Sequence, residues 1–262
     1  QNGIINTNIL GVNYSDNWGE KIKISGSYQF NHRENTNESS LIREYVTGSN
    51  SDQVYTEDSR ETRTRQDHRF DMRFEYNINE NNRILYRPRF SASFEKENSG
   101  FFGQSVNSDG PLNQTENIRT ADNEDYDMFH RLFYSHKFSK PGRSLTLSAN
   151  TGIHGNNDNA LRSATNIYYQ PQERTEVLNQ NITRDRSGND WETGISYTEP
   201  IGKNGQMELE YEIGNRINDS DQLTFDILND DLDNPNLSLD TALSNSFESK
   251  YLRQEVELGY QK

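Results

Sequence analysis

Five histidines, His32, His68, His130, His136 and His154, are the side chains of this sequence best suited to hold a metal or move a proton near neutral pH. A metal-binding pair on a strand needs both rings on one face, which puts them two residues apart, and no two of these histidines are so spaced. His130 and His136 share parity but lie further apart, among apolar neighbours. No Asp–His or Ser–His arrangement prepares a nucleophile. The absence of cysteine removes thiolate nucleophiles, thiolate zinc sites and disulfides together. No glycine-rich turn joins a strand to a helix around a phosphate. The expectation is therefore a protein that is not an enzyme, with no catalytic residue, no cofactor and no metal.

Acidic runs at 122–125, 218–221 and 229–233 bring oxygen ligands together, but none follows the calcium-loop pattern, and they read as solvated loops. Asn113-Gln114-Thr115 fits a glycosylation acceptor, a match so short that it says only that the segment is polar. Phe101-Phe102 and Tyr168-Tyr169, read as loop residues, could stack on sugar rings or pack the loops upon themselves. A more regular set is Arg69, Arg73, Glu75, Arg87 and Arg89, charged side chains that alternate with apolar ones along two neighbouring segments. Groups of this kind on one face can bind a polar solute, provided that water reaches them, since burying each ion dry would cost several kcal/mol.

Period two supplies that face. In 67–78, His68, Phe70, Met72, Phe74, Tyr76 and Ile78 alternate with Asp67, Arg69, Asp71, Arg73, Glu75 and Asn77. A helix would scatter those charges around its circumference, whereas a strand sends them all to one side. The split recurs in 21–33, 145–154, 207–213 and 252–260, and less cleanly in 84–97, 126–138 and 191–197, where Phe129 and Phe133 take the polar parity. With 4–14 there are about nine strands. Short connections at 15–19, 79–82, 139–143 and 200–205 alternate with long ones near 34–61, 98–122, 155–190 and 217–245, as the turns and loops of transmembrane barrels do. Tyr14, Tyr76, Tyr86, Phe138, Tyr197 and Tyr260 stand at strand ends beside the short turns, where aromatic rings mark a membrane boundary.

Composition agrees. A mean hydropathy of −1.09 and a formal charge of −14 describe a very polar chain, yet 11% of it is aromatic, more than a disordered chain carries. No run is long enough for a membrane helix, and the acidic balance argues against nucleic acid as a partner. In a barrel strand only alternate residues face lipid, so a barrel can be hydrophilic on average. In the hairpin around Asn81, keeping parity opposes Phe70, Phe74 and Tyr76 to Tyr86, Phe90 and Phe94. It also brings Glu75 toward Arg87 or Arg89, and Arg69 toward Glu95. Pro88, on the apolar parity, predicts a bulge or a sheet edge.

The run from Gly11 to Lys21, the segment from Ile24 to Asn31, Tyr76-Asn-Ile-Asn, Ser135-His-Lys-Phe, and Tyr197-Thr-Glu-Pro-Ile-Gly-Lys-Asn before Met207-Glu-Leu-Glu-Tyr resemble the barrel region of outer-membrane proteins related to TonB-dependent receptors, bacteroidete type. The resemblance runs through nearly the whole chain as rhythm and loose turn patterns. It implies uptake of a bulky solute, location in the outer membrane of a Gram-negative bacterium, contact with outer-membrane lipid, an energising inner-membrane complex and a surface lipoprotein. That family also has a plug domain and a barrel of about 22 strands, and neither is recognisable here. The chain is thus expected to be an all-β, antiparallel up-and-down transmembrane barrel or partial barrel of about 8–9 strands, with short periplasmic turns and long external loops. Residues 1–262 are expected to form a single barrel region, a fragment of a larger barrel without a plug. Alternatively, 4–14 does not span and eight strands close a complete barrel. Lumen-facing contacts are expected at Arg69, Arg73, Glu75, Arg87 and Arg89. The rival reading is a soluble extracellular β-sandwich or adhesin-like binding module.

Overall fold

The computed structural model describes residues 2–45, 53–202, 204–228 and 236–261. Every strand among them belongs to one antiparallel sheet. In chain order these are β1 (Asn2–Trp18), β2 (Ile22–Tyr45), β3 (Gln53–Asn79), β4 (Asn82–Asn107), β5 (Gly110–Lys137), β6 (Ser144–Tyr168), β7 (Arg174–Ile201), β8 (Gly205–Ile227), β9 (Leu237–Leu239) and β10 (Asn245–Gln261). Each pairs with the next in an up-and-down meander from β1 to β8, β10 follows β8, and the short β9 lies beside β8. The sheet does not close among the described residues: β1 and β10 are its edges. Residues 4–14 form part of β1, which pairs with β2 from Asn2 to Trp18, so the closed eight-stranded alternative is overturned.

The short turns fall at 19–21, 80–81, 138–143 and between Ile201 and Gly205, close to where turn residues place them. Gly19, Gly142 and Gly202 there have φ of 71°, 84° and 64°, a backbone region in which a side chain would be strained. The long connections are corrected. Most of each is strand: β4 and β5 pair through almost all of 98–122 and turn at Ser108 and Asp109, while β6 and β7 continue to Tyr168 and from Arg174. Where water meets both faces of a sheet, a strand has no apolar parity by which a sequence could betray it.

Register aligns the parities of every strand. The outward row through the middle of the sheet runs Tyr28, Phe70, Phe90, Met128, Ile153. A lower one runs Phe74, Tyr86, Leu132, Ala149, Thr193, Ile213. These side chains are not packed under a second sheet: Leu209 is 49% exposed, Ile153 46% and Leu132 43%. The only buried apolar side chains described are Ala160 and Ala164. A sandwich needs a core between two sheets, and this sheet has none, which overturns the soluble-sandwich reading. From Ile84 to Phe94 the outward row of β4 covers about 33 Å of strand, or roughly 25 Å at a barrel tilt of about 40°, the height of a lipid-facing band.

Pro88 is neither at an edge nor at a bulge. Its strand is central, and the ladder to β3 lapses between Asp71↔Arg89 and Phe74↔Tyr86 and resumes in the same register. On the β5 side Pro88 pairs with His130 without interruption. A missing N–H toward one neighbour is thus absorbed by a local gap in that one ladder.

Candidate functional site

The inward face is built from the odd positions of β3, β4 and β5 and the even positions of β6, β7 and β8. Two hollows open on it at the level of the apolar band. One, of about 720 Å³, is bordered by Ser25, Arg73, Arg87, Arg89, Phe129 and Arg131. The other, of about 820 Å³, draws Arg69 from β3, Asp127 from β5, His154 from β6, Arg186 from β7 and Phe247 from β10. Strands that far apart can share one hollow only if the sheet curls around this face. The opposite, outward face carries the apolar band.

All five expected contact residues lie on the inward face. Arg73, Arg87 and Arg89 reach the first hollow and Arg69 the second, while Glu75 is held between two guanidiniums. The apolar opposition in the Asn81 hairpin follows the expected parity, with Phe70 facing Phe90 and Phe74 facing Tyr86. The ion pairs are displaced from the expected ones. Glu75 accepts from Arg73 at 2.9 Å and from Arg83 at 2.8 Å, not from Arg87 or Arg89. Asp71 accepts from Arg69 at 2.8 Å and from Arg89 at 2.7 Å. Glu95 takes Arg63 and Arg65, not Arg69. Register puts Leu85 opposite Glu75 on β4 and leaves Arg83 and Arg87 as its two diagonal neighbours there; the contact is made by Arg83.

Above the band the same face continues as a charge ladder. Arg63 reaches Glu61 at 2.9 Å and Glu97 at 2.8 Å, and Glu97 also takes Arg119 at 2.6 Å. Partial burial opposes ionisation of Glu97, but Arg63 and Arg119 outweigh it and hold that carboxyl below its ordinary value. Nearer the external tip the Tyr55 hydroxyl donates to Glu57 at 2.5 Å, and the carboxylate pushes the phenol up to about 12. At the short-turn end Glu199 joins two turns. It accepts from Arg143 at 2.7 and 2.8 Å, from Lys140 at 2.6 Å and from the Tyr197 hydroxyl at 2.7 Å, which together keep it far below the usual carboxylate range.

Four histidines leave the apolar face and pair with neighbours there. Tyr28 contacts His68 Nδ1 at 2.8 Å, Tyr86 contacts His130 Nδ1 at 2.6 Å, His136 reaches Asn82 and His32 lies near Glu34. His154 alone faces inward. Among the described residues no three His, Asp or Glu form a group that could hold a metal. The acidic runs 122–125 and 218–221 are strand residues, which the pleat splits between two faces, rather than loops. Residues 229–233 lie outside the described residues. Asn113–Thr115 and Phe101-Phe102 are also in strands, and Tyr169 donates to Gln114 at 3.2 Å, so the tyrosine pair packs on its own hairpins.

The sequence reading missed Arg83 and Arg131. Arg131 shares the parity of Phe129 and Phe133, which blurred that strand; anchoring it on Tyr126, Met128, Leu132 and Tyr134 would have turned Arg131 inward.

Residues 136–254 match a family described as outer membrane protein beta-barrel family. The chain has the all-β, up-and-down sheet of such a barrel, and over these residues, a little under half of its length, it is similar to that family. Its band of Phe, Tyr, Leu and Ile therefore stands in the outer membrane of a Gram-negative bacterium, and the turns at 19–21, 80–81, 138–143 and between Ile201 and Gly205 form its periplasmic end. No curated protein matches the chain. Among solved structures, the closed form of the ferric-catecholate import receptor Fiu of Escherichia coli K12 is similar at 9% identity, covering 97% of this chain and 46% of the receptor, with a TM-score of 0.41. BamA of Haemophilus ducreyi, lacking POTRA domains 1–3, aligns at 8% identity over 95% of this chain and 70% of its own, with a TM-score of 0.17. The chain thus spans about half the length of the import receptor it matches.

Proposed function

We propose that this outer-membrane wall belongs to a transporter of the TonB-dependent kind and conducts a bulky polar solute along its inward face. The observation that carries the reading is the sidedness of the sheet. One face is apolar over the height of a bilayer, while the other keeps Arg69, Arg73, Arg87 and Arg89 beside hollows open to water, with Glu75 paired to Arg73 and Arg83. Ionised groups at membrane depth are tolerated where water or a partner reaches them. Further strands complete the wall in this reading, because the free backbone groups along β1 and β10 would be unsatisfied in lipid. The TonB-dependent class, an energising inner-membrane complex and a surface lipoprotein rest on the family resemblance alone. Contact with outer-membrane lipid rests on the apolar band.

The cysteine-free sequence makes the test direct. In the full-length protein in lipid, Ser91→Cys on the inward face is expected to react with a membrane-impermeant maleimide, and Phe90→Cys on the outward face is not. Attaching a bulky maleimide at Ser91→Cys should then reduce solute passage in a liposome-swelling assay. Equal labelling at both positions, or passage unchanged by the bulky adduct, would overturn the reading.

A further inference from the structure

Arg87 and Arg131 face each other directly across β4 and β5, both on the inward side and both at the 720 Å³ hollow. Like charges so placed repel and destabilise a sheet unless something neutralises them. Their own neighbourhood does not. Asp71 is occupied by Arg69 and Arg89, and Glu75 by Arg73 and Arg83. The β6 neighbour of Arg131 is the neutral Asn150, whose amide donates to Glu192 at 3.2 Å. Arg131 Nε is shielded from solvent without an acceptor, and its guanidinium lies 5.3 Å from the centre of the Phe129 ring. Ser25 and Ser27 add hydroxyl groups to the same hollow.

We propose that Arg87 and Arg131 are an oxyanion-binding pair, taking the carboxylate or phosphate group of a small solute between their guanidiniums, with the Phe129 ring against its organic part. The two groups share the chemistry that selects arginine, oxygen atoms spaced for a forked donor. The volume of the hollow suits a small organic anion rather than a bare ion. This assignment rests on the reading of the inward face as a wet lumen and deepens it by naming a solute class.

The test is calorimetric titration of the full-length protein in detergent micelles with inorganic phosphate, citrate and dihexanoyl phosphatidylglycerol. Saturable binding of phosphate or citrate is expected. It should weaken roughly tenfold or more in Arg87→Gln, the loss of a charged hydrogen bond. It should disappear in the Arg87→Gln/Arg131→Gln double variant and persist in Arg216→Gln, an inward arginine elsewhere on the sheet. Heat-modifiable gel mobility checks that each variant is folded. No saturable binding, equal binding by the double variant, or binding of the lipid alone would overturn the proposal. The maleimide experiment separates the two readings: if Ser91→Cys is labelled and no anion binds, only the oxyanion pair falls, whereas protection of Ser91→Cys removes the wet lumen beneath both.

Discussion

The lower and upper halves of the same strands differ in one respect that organises the molecule. In β3 the lower half alternates Phe70, Phe74 and Tyr76 with Arg69, Arg73 and Glu75. The upper half has Thr62 and Thr64 on one face and Arg63 and Arg65 on the other. The ladder continues unchanged through both. Alternation is therefore the mark of two different solvents, hydrocarbon and water, and not of the strand itself. Where water bathes both faces, cross-strand polar pairs replace greasy ones: Ser39 with Ser59 at 2.7 Å, Ser40 with Asp58 at 2.5 Å, Thr115 with Asn166 at 2.9 Å.

The sharpest way to break this comparison is to put the same charge into both halves on the outward face. Phe70→Arg, in the middle row of the band, should cost about 2–4 kcal/mol near the depth of the bilayer midplane and block assembly, and Thr62→Arg above the membrane should cost close to nothing. Folding into lipid vesicles, followed by urea titration, measures both. Comparable losses would mean that the apolar band is misplaced. A second contrast uses two glycines covered by tyrosine. A Cβ at Gly155 would lie 2.4 Å from the Tyr126 ring at the rim of the band, and one at Gly103 would lie 2.6 Å from the Tyr55 hydroxyl in the extension. Gly155→Val should cost about 1–3 kcal/mol, since a ring packed beside its cross-strand partner must move. Gly103→Val should cost less, because Tyr55 need give up only its hydroxyl bond to Glu57 to swing into water. Thermal melts of the two variants give the order, and the reverse order would contradict it.

Sequence made the lower half legible for the same reason. His68 to Ile78 could be assigned to a strand, and its face chosen, because each apolar residue answers a charged one. The turns were legible through Gly19, Gly142 and Gly202, whose positive φ selects glycine. The upper half was not, because Glu97, Asn117 and Arg119 carry no periodic contrast, and strands there were taken for loops. Individual ion pairs were also out of reach. Parity says which residues share a face, but that Arg83 comes within diagonal reach of Glu75 while Arg89 does not depends on register, set by the two-residue turn at 80–81 and the shift between Asn77 and Asn79. Arg131 shows the remaining gap, a charged residue hidden by aromatic neighbours on its own parity.

The smallest expected effect sharpens the comparison from the aqueous side. The Glu97 carboxyl is held below its ordinary value by Arg63 and Arg119, so it releases its proton more readily in the folded sheet than in the unfolded chain. The stability it contributes is complete above the unfolded value of about 4.5 and is lost as pH falls through the lower folded value. Because Arg63 is 43% exposed, water and salt screen the pair, and Glu97→Gln should cost about 1 kcal/mol or less, shrinking further in high salt. Hydrogen exchange followed down through that acid range should show amides of the β4 and β5 extensions near Glu97 and Arg119 opening before those of the band around Phe90 and Met128. In Glu97→Gln the protection of the same amides, relative to their intrinsic exchange rates, should no longer change over this interval. If the band opens first, the ladder above it is ornamental to stability and the two halves are held by the same forces after all.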